Sequence, residues 1–171
     1  MKKVILILTL SLIAGISGFV LSNVNAITEP IIKAADAAKE ESMFKTLFPE
    51  LDSSEKVINE DEDSMVKYSV TVYNAKKEVI GNIYNANGTN GYGAITALIG
   101  IDSDGKVTGV EYPVFKQTPG FGDKVKKEGY LNQYKEMDSK DVNPDAASGA
   151  TYSSNLVKSL VEAMAEFHNK K

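Results

Sequence analysis

Two lysines, Lys2 and Lys3, stand ahead of a stretch from Val4 to Thr28 that carries no charge, and its first part, Val4 to Leu21, is apolar or small throughout. Coiled as an α-helix, that first part rises about 27 Å, close to the roughly 30 Å of a bilayer's hydrocarbon core, and the uncharged continuation supplies the remainder. The stretch can span a membrane. The competing reading is a secretory signal with Val24-Asn25-Ala26 as an imperfect cleavage site, but the apolar run exceeds the roughly 7 to 15 residues of a usual signal core. Residues 1–28 are therefore expected to be a retained, single-pass anchor in the cell membrane. Lysines ahead of a span stay on the cytoplasmic side, so the rest of the chain is expected on the extracytoplasmic side.

Beyond the anchor the apolar period changes twice. Pro30 suits the first turn of a helix, and Ile31, Ile32, Ala35, Ala38, Met43, Phe44 and Leu47 continue a helical pattern to Phe48, where Pro49 stops it. Residues 29–51 read as a helical connector. Residues 52–64 hold Asp52, Glu55, Glu60, Asp61, Glu62 and Asp63 against one lysine, a solvated acidic loop to which no metal ligand is assigned. Val66, Tyr68, Val70 and Val72 then alternate with polar residues, the mark of a half-buried strand. Further strands are expected from Glu78 to about Asn85, from Ala94 to Ile101 and from Lys106 to Phe115, the last two joined by a hairpin turn at Asp102-Ser103-Asp104-Gly105. The intervening Asn85 to Gly93 reads as a flexible loop, and Asp123 to Tyr134 as a short helix.

The chain closes on Leu156, Val157, Leu160, Val161, Met164 and Phe167, spaced as one face of a helix. The expected fold is α+β: an antiparallel sheet of about four strands flanked by helices in residues 52–171, preceded by one transmembrane helix.

Composition narrows the function. All 19 basic residues are lysine and the net charge is −4, which argues against nucleic acid, where arginine does most of the bidentate work. There is no cysteine, so disulfides, thiolate metal sites and Fe–S clusters are excluded. No catalytic residue and no metal site are assigned; His168, in the last turn of the closing helix, reads as an exposed surface residue.

Just ahead of that helix stands Asp145-Ala146-Ala147-Ser148-Gly149-Ala150-Thr151-Tyr152-Ser153-Ser154. A helix N-terminus offers unpaired N–H groups and the positive end of a dipole, which favour a bound phosphate or other anion. Ser148, Thr151, Ser153 and Ser154 can equally serve as caps, and local physics alone favours the cap. Upstream, Gln117-Thr118-Pro119-Gly120-Phe121-Gly122 follows the last strand, with Pro119-Gly120 fitting the centre of a type II turn.

The string from Asp145 to Thr151 resembles the flavinylation motif of the FMN-binding domain found in the G subunit of Rnf electron-transport complexes and the C subunit of Na⁺-translocating NADH:quinone reductases. In that family the last threonine or serine is esterified to the phosphate of FMN, which implies a covalent phosphoester at Thr151, with Asp145, Ser148, Gly149 and Ala150 around it. Gly91-Tyr92-Gly93 is similar to the family's Gly-Tyr-x-Gly segment, where the backbone approaches the flavin. Gln117 to Gly122 resembles its Glu-Thr-Pro-Gly-Leu-Gly string, which implies that Thr118, Pro119, Gly120, Phe121 and Gly122 face the flavin ring. Two positions depart from the pattern: Gln117 replaces the usual acid and Phe121 the usual leucine.

A free threonine is a weak nucleophile, and no activating base is evident in this chain, so the resemblance implies a separate flavin transferase as a partner. It also implies the other membrane subunits of an Rnf-type ion-translocating complex, with length favouring the G-type subunit. Two alternatives stand beside this reading. One is a free-standing anchored flavin domain for extracellular electron transfer. The other is an extracytoplasmic binding or sensory module without flavin, in which Thr151 merely caps its helix.

Overall fold

A computed structural model describes residues 2–170. The chain divides into two compact units, Met1–Glu40 and Glu41–Lys171. The described part of the first unit is helix α1, Lys2–Leu47, whose last residues belong to the second. From Val4 to Ile32 its large apolar side chains are exposed on every side, and the helix is long and apolar enough to cross a membrane. Pro30 lies inside α1 rather than opening a new helix. Proline lacks the N–H of one intrahelical bond, yet here the other bonds carry the helix through.

The second unit is built on one antiparallel sheet in the order β1-β2-β3-β4-β5. Its strands are β1, Ser53–Ile58; β2, Val66–Tyr73; β3, Val79–Asn90; β4, Gly93–Asp102; and β5, Val107–Gln117. The fifth strand beyond the expected four is β1, which occupies the first half of the acidic segment read as a loop. All six of its residues are exposed, so no alternation of burial marks it in the sequence. What holds it is the ladder to β2 from Ser53↔Tyr73 to Ile58↔Tyr68, and Lys56 Nζ lying 3.5 Å over the Tyr68 ring. Charges on an outer strand also discourage pairing with other chains.

Both faces of the sheet carry packed helix, and β2 keeps the expected half-buried character, Val70 and Val72 being buried while Thr71 and Tyr73 are partly exposed. Helix α3, Thr151–Asn169, lays Leu156, Val157, Leu160, Val161 and Met164 against Tyr84, Ala86, Ile95, Ala97, Ile99 and Ile101. On the other face Phe44 and Leu47 from the end of α1, with Phe48, pack on Val70, Val72, Ile83 and Leu98. A register shift between Val66 and Tyr68 sends Val66 to the α3 face while Val70 and Val72 face α1.

Residues 85–90 continue β3 instead of forming a flexible loop. Gly88 explains the conflict: a Cβ there would lie 2.8 Å from Leu156 Cδ1, so the glycine makes room for α3 and does not loosen the strand. Pro113 interrupts β5 where the register shifts, between Thr96↔Val114 and Leu98↔Glu111, and β5 is an edge strand that tolerates it. The expected helix from Asp123 to Tyr134 is broken into a 3-10 turn, Asp123–Lys126, a single α-turn α2, Glu128–Leu131, and a second 3-10 turn, Asn132–Tyr134. Asp102 to Gly105 makes the expected hairpin turn, with Asp102 Oδ1 accepting the N–H groups of Asp104 and Lys106.

Candidate functional site

Three segments far apart in sequence meet where α3 begins. The first is the tight β3–β4 hairpin around Gly91 and Tyr92. Its Asn90↔Gly93 pairing closes the ladder, and Gly93 has φ 132°. The second is the turn after β5: Phe121 N–H donates to the Thr118 carbonyl at 3.3 Å and Gly120 has φ 82°, as a type II turn requires. Asp123 Oδ2 accepts the Gly120 N–H at 2.8 Å and steadies that turn. The third is the run from Ser148 to Ser153.

Thr118 ties the second segment to the first, since both its N–H and its hydroxyl donate to the Tyr92 carbonyl, at 2.9 and 3.2 Å. Tyr92 in turn stacks on Phe121, with ring centroids 5.8 Å apart and planes 10° from parallel, and meets Tyr152 edge-on at 5.9 Å. Phe121 and Tyr152 are 57% and 70% exposed, so these aromatic faces reach solvent. Between the segments lies an open cleft of about 180 Å³ lined by Tyr92, Phe121, Gly149, Ala150, Thr151, Tyr152 and Ser153.

Thr151 is the first residue of α3 and is exposed. Ala150 precedes it as N-cap, and among the described residues no side chain caps the helix, so the capping reading of Thr151 has no support in the geometry. Ser153 Oγ instead donates to Gln117 Oε1 at 2.8 Å, and Ser154 Oγ accepts the Ala147 N–H at 2.9 Å. The first-turn N–H groups and the positive end of a long helix thus stand beside an accessible hydroxyl. Lys124 adds a cation: its ammonium donates to the Ser148 carbonyl at 2.6 Å. Gly149, with φ 72°, follows that carbonyl and turns the chain into α3.

The remaining predicted residues fall around this centre. Ala150 is buried, whereas Asp145 is exposed and outside the cleft lining, with its N–H donated to Gln133 Oε1 at 3.0 Å. Pro119, Gly120 and Gly122 shape the turn that carries Phe121 and do not line the cleft. Sequence reasoning missed Asn90, Lys124, Tyr152 and Ser153. For Tyr152 a signal existed, an aromatic residue placed straight after Thr151; for the others the contacts are long-range.

Beneath the site, Tyr130 OH lies 3.0 Å from Tyr134 OH and donates to the Ser154 carbonyl at 3.4 Å. Burial raises both phenols above the usual tyrosine range. His168 is not the exposed residue expected: it is half-buried, and its Nδ1 lies 2.8 Å from the buried Tyr84 OH, at the far end of α3.

Residues 91–166 match the FMN-binding domain family. Over 125 residues the chain is 31% identical to a protein of Pectobacterium atrosepticum, the G subunit of an ion-translocating oxidoreductase complex, covering 68% of this chain and 60% of that protein. The match thus spans about three fifths of the relative's length.

Proposed function

Since residues 91–166 of this chain belong to the FMN-binding domain family, we propose that the protein is a membrane-anchored flavoprotein with FMN esterified to Thr151, serving as the G-type subunit of an Rnf-like ion-translocating complex. The observation that carries this reading is the exposed Thr151 hydroxyl at the uncapped start of α3, on the wall of an aromatic cleft. The helix terminus and Lys124 favour the negative charge that a phosphodiester retains. Tyr92, Phe121 and Tyr152 offer flat apolar surface of the kind a flavin ring covers.

FMN supplies one- and two-electron redox chemistry; the chain supplies position and electrostatics. Asn90, Gln117, Thr118 and Lys124 fix the three segments against one another, so the ring is held without reliance on a single loop. Exposure of Thr151 allows a separate flavin transferase to reach the hydroxyl, and the cleft lining holds no base to activate it unaided. An N-terminal helix retained in the membrane keeps the domain with its partner subunits, on the extracytoplasmic side if the lysines at its start remain inside.

The test is intact mass with in-gel flavin fluorescence, on chain coexpressed with a flavin transferase, beside Thr151→Ala. An added mass of one FMN that is absent from the variant supports the reading. Unmodified native chain, with a transferase active on a control substrate, makes this a binding module. Copurification of the flavinylated chain with other membrane subunits distinguishes a complex subunit from a free-standing carrier.

A further inference from the structure

Gln117 ends β5 directly before the turn and is only 7% exposed, and the other two segments of the cleft, the hairpin and the start of α3, meet at its amide. Nε2 lies 2.6 Å from the Gly93 carbonyl oxygen and 3.3 Å from Asn90 Oδ1, both on the β3–β4 hairpin. Oε1 accepts the Ser153 hydroxyl at 2.8 Å, from the first turn of α3. The orientation of the amide follows from these partners, because a backbone carbonyl can only accept whereas a hydroxyl can donate. Asn90 extends the network: its Oδ1 also accepts the Tyr92 N–H at 2.9 Å, and its Nδ2 donates to the Tyr152 carbonyl at 3.2 Å. Both tyrosines of the cleft thus hang from one pair of amides.

We propose that Gln117 is a positioning residue for the cleft, joining hairpin and helix through two donors and one acceptor at the point where β5 runs into the turn, a combination that holds the site in one geometry whatever the pH. A carboxylate has no donor, so an ionised acid at this position would face two acceptor oxygens in a buried site. It could keep the network only in its protonated form, and then with one donor in place of two. The residues bonded to the amide, Gly93, Asn90 and Ser153, carry no titratable group. On the segments around it the titratable side chains nearest in sequence are Tyr92 of the hairpin, Lys116 of β5, Asp123 and Lys124 after the turn, and Tyr152 of α3; Glu111 and Tyr112 of β5, Lys126 after the turn, and Lys158, Glu162, Glu166 and His168 of α3 lie farther along. The identity of the cleft's ligand rests on the flavin reading above; the network belongs to the unmodified chain.

Gln117→Glu makes the consequence measurable. A buried acid facing acceptors has a folded pKa above the ordinary glutamate value of about 4.3. Below that value both states are protonated and ionisation contributes nothing, leaving only the loss of one donor. Above it the unfolded chain ionises first, so stability falls with rising pH until the folded pKa is passed.

The experiment is thermal unfolding of the full, unflavinylated chain in detergent between pH 4.5 and 8, for the native sequence, Gln117→Glu and Gln117→Leu. The glutamate variant is expected to show its smallest deficit at pH 4.5, from the one lost donor, the deficit widening by roughly 3–5 °C per pH unit and then levelling. The leucine variant is expected to show a deficit that pH does not change. After FMN attachment, the midpoint potential of the glutamate variant relative to native is expected to drift over the same pH interval. A pH-independent deficit in Gln117→Glu, or its failure to fold at pH 4.5 while Gln117→Leu folds, overturns the proposal. If the native chain takes no FMN while the widening deficit is still observed, the flavin reading fails and the positioning role of Gln117 stands.

Discussion

Lys124 Nζ donates to the Ser148 carbonyl at 2.6 Å, joining the turn that follows β5 to the run that leads into α3. The next residue, Gly149, has φ 72°, and a Cβ there would lie 2.5 Å from the same ammonium. Gly149→Ala therefore combines a left-handed backbone, costing roughly 1–2 kcal/mol, with displacement of Lys124. Denaturant unfolding of the variant is expected to show that loss, and intact mass a slower attachment of FMN. Lys124→Met, which keeps the stem but not the charge, is expected to slow attachment as well, with Lys124→Arg restoring part of it.

Phe121 stacks on Tyr92 yet is mostly exposed. Phe121→Ala is expected to change stability by at most about 1.5 kcal/mol, the scale of an aromatic pair. Its larger effect falls on bound FMN. Water replacing apolar surface beside the ring stabilises charge on the reduced form, so the midpoint potential in spectroelectrochemistry is expected to become more positive.

Leu160, midway along α3, is fully buried against the sheet, and the same helix carries Thr151 at its start. Leu160→Ala is expected to destabilise the domain by roughly 2–5 kcal/mol. Denaturant titration reads this directly. A loss under about 1 kcal/mol would mean that α3 does not pack on β3 and β4 as described.

Burial holds four phenols above the ordinary tyrosine range: Tyr84 is pushed up to about 12, and Tyr112, Tyr130 and Tyr134 are raised as well. Their folded values exceed the unfolded value near 10, so their contribution is intact below about pH 10 and is lost as pH rises through the folded values. Absorbance at 295 nm from these four is expected to rise together with loss of near-UV circular dichroism. Ionisation of all four ahead of unfolding would contradict their burial.

The stretch from Val4 to Thr28 is expected to be what retains the protein in the membrane. Deleting residues 4–28 should move the chain from the membrane fraction to the soluble fraction with its sheet intact by circular dichroism. Persistence in washed membranes would place the anchor elsewhere.

Much of the domain could be read directly from side-chain periodicity, because burial leaves a repeating mark. The closing helix carried its apolar face at steps of three and four, and β4 and β5 lie within two residues of the bounds expected on either side of the Asp102–Gly105 turn. The turn at Thr118-Pro119-Gly120 was likewise legible, since a positive φ at its third position demands a particular residue type. By contrast, β1 was invisible, because an exposed outer strand held by backbone pairing and surface contacts such as Lys56–Tyr68 buries nothing on a period of two.

The sequence by itself thus determined a span-length apolar helix, a sheet with helices, and the chemistry available at Thr151. Tertiary structure alone decided that Gly88 belongs to a strand, that Ala150 leaves α3 uncapped, and that Asn90, Gln117 and Ser153 form one network. The physical reason is the same for all three. A periodic pattern records which face of a local element is buried, but the partner of a hydrogen bond or the neighbour of a missing Cβ is set by segments tens of residues away, and those meet only when the chain has packed.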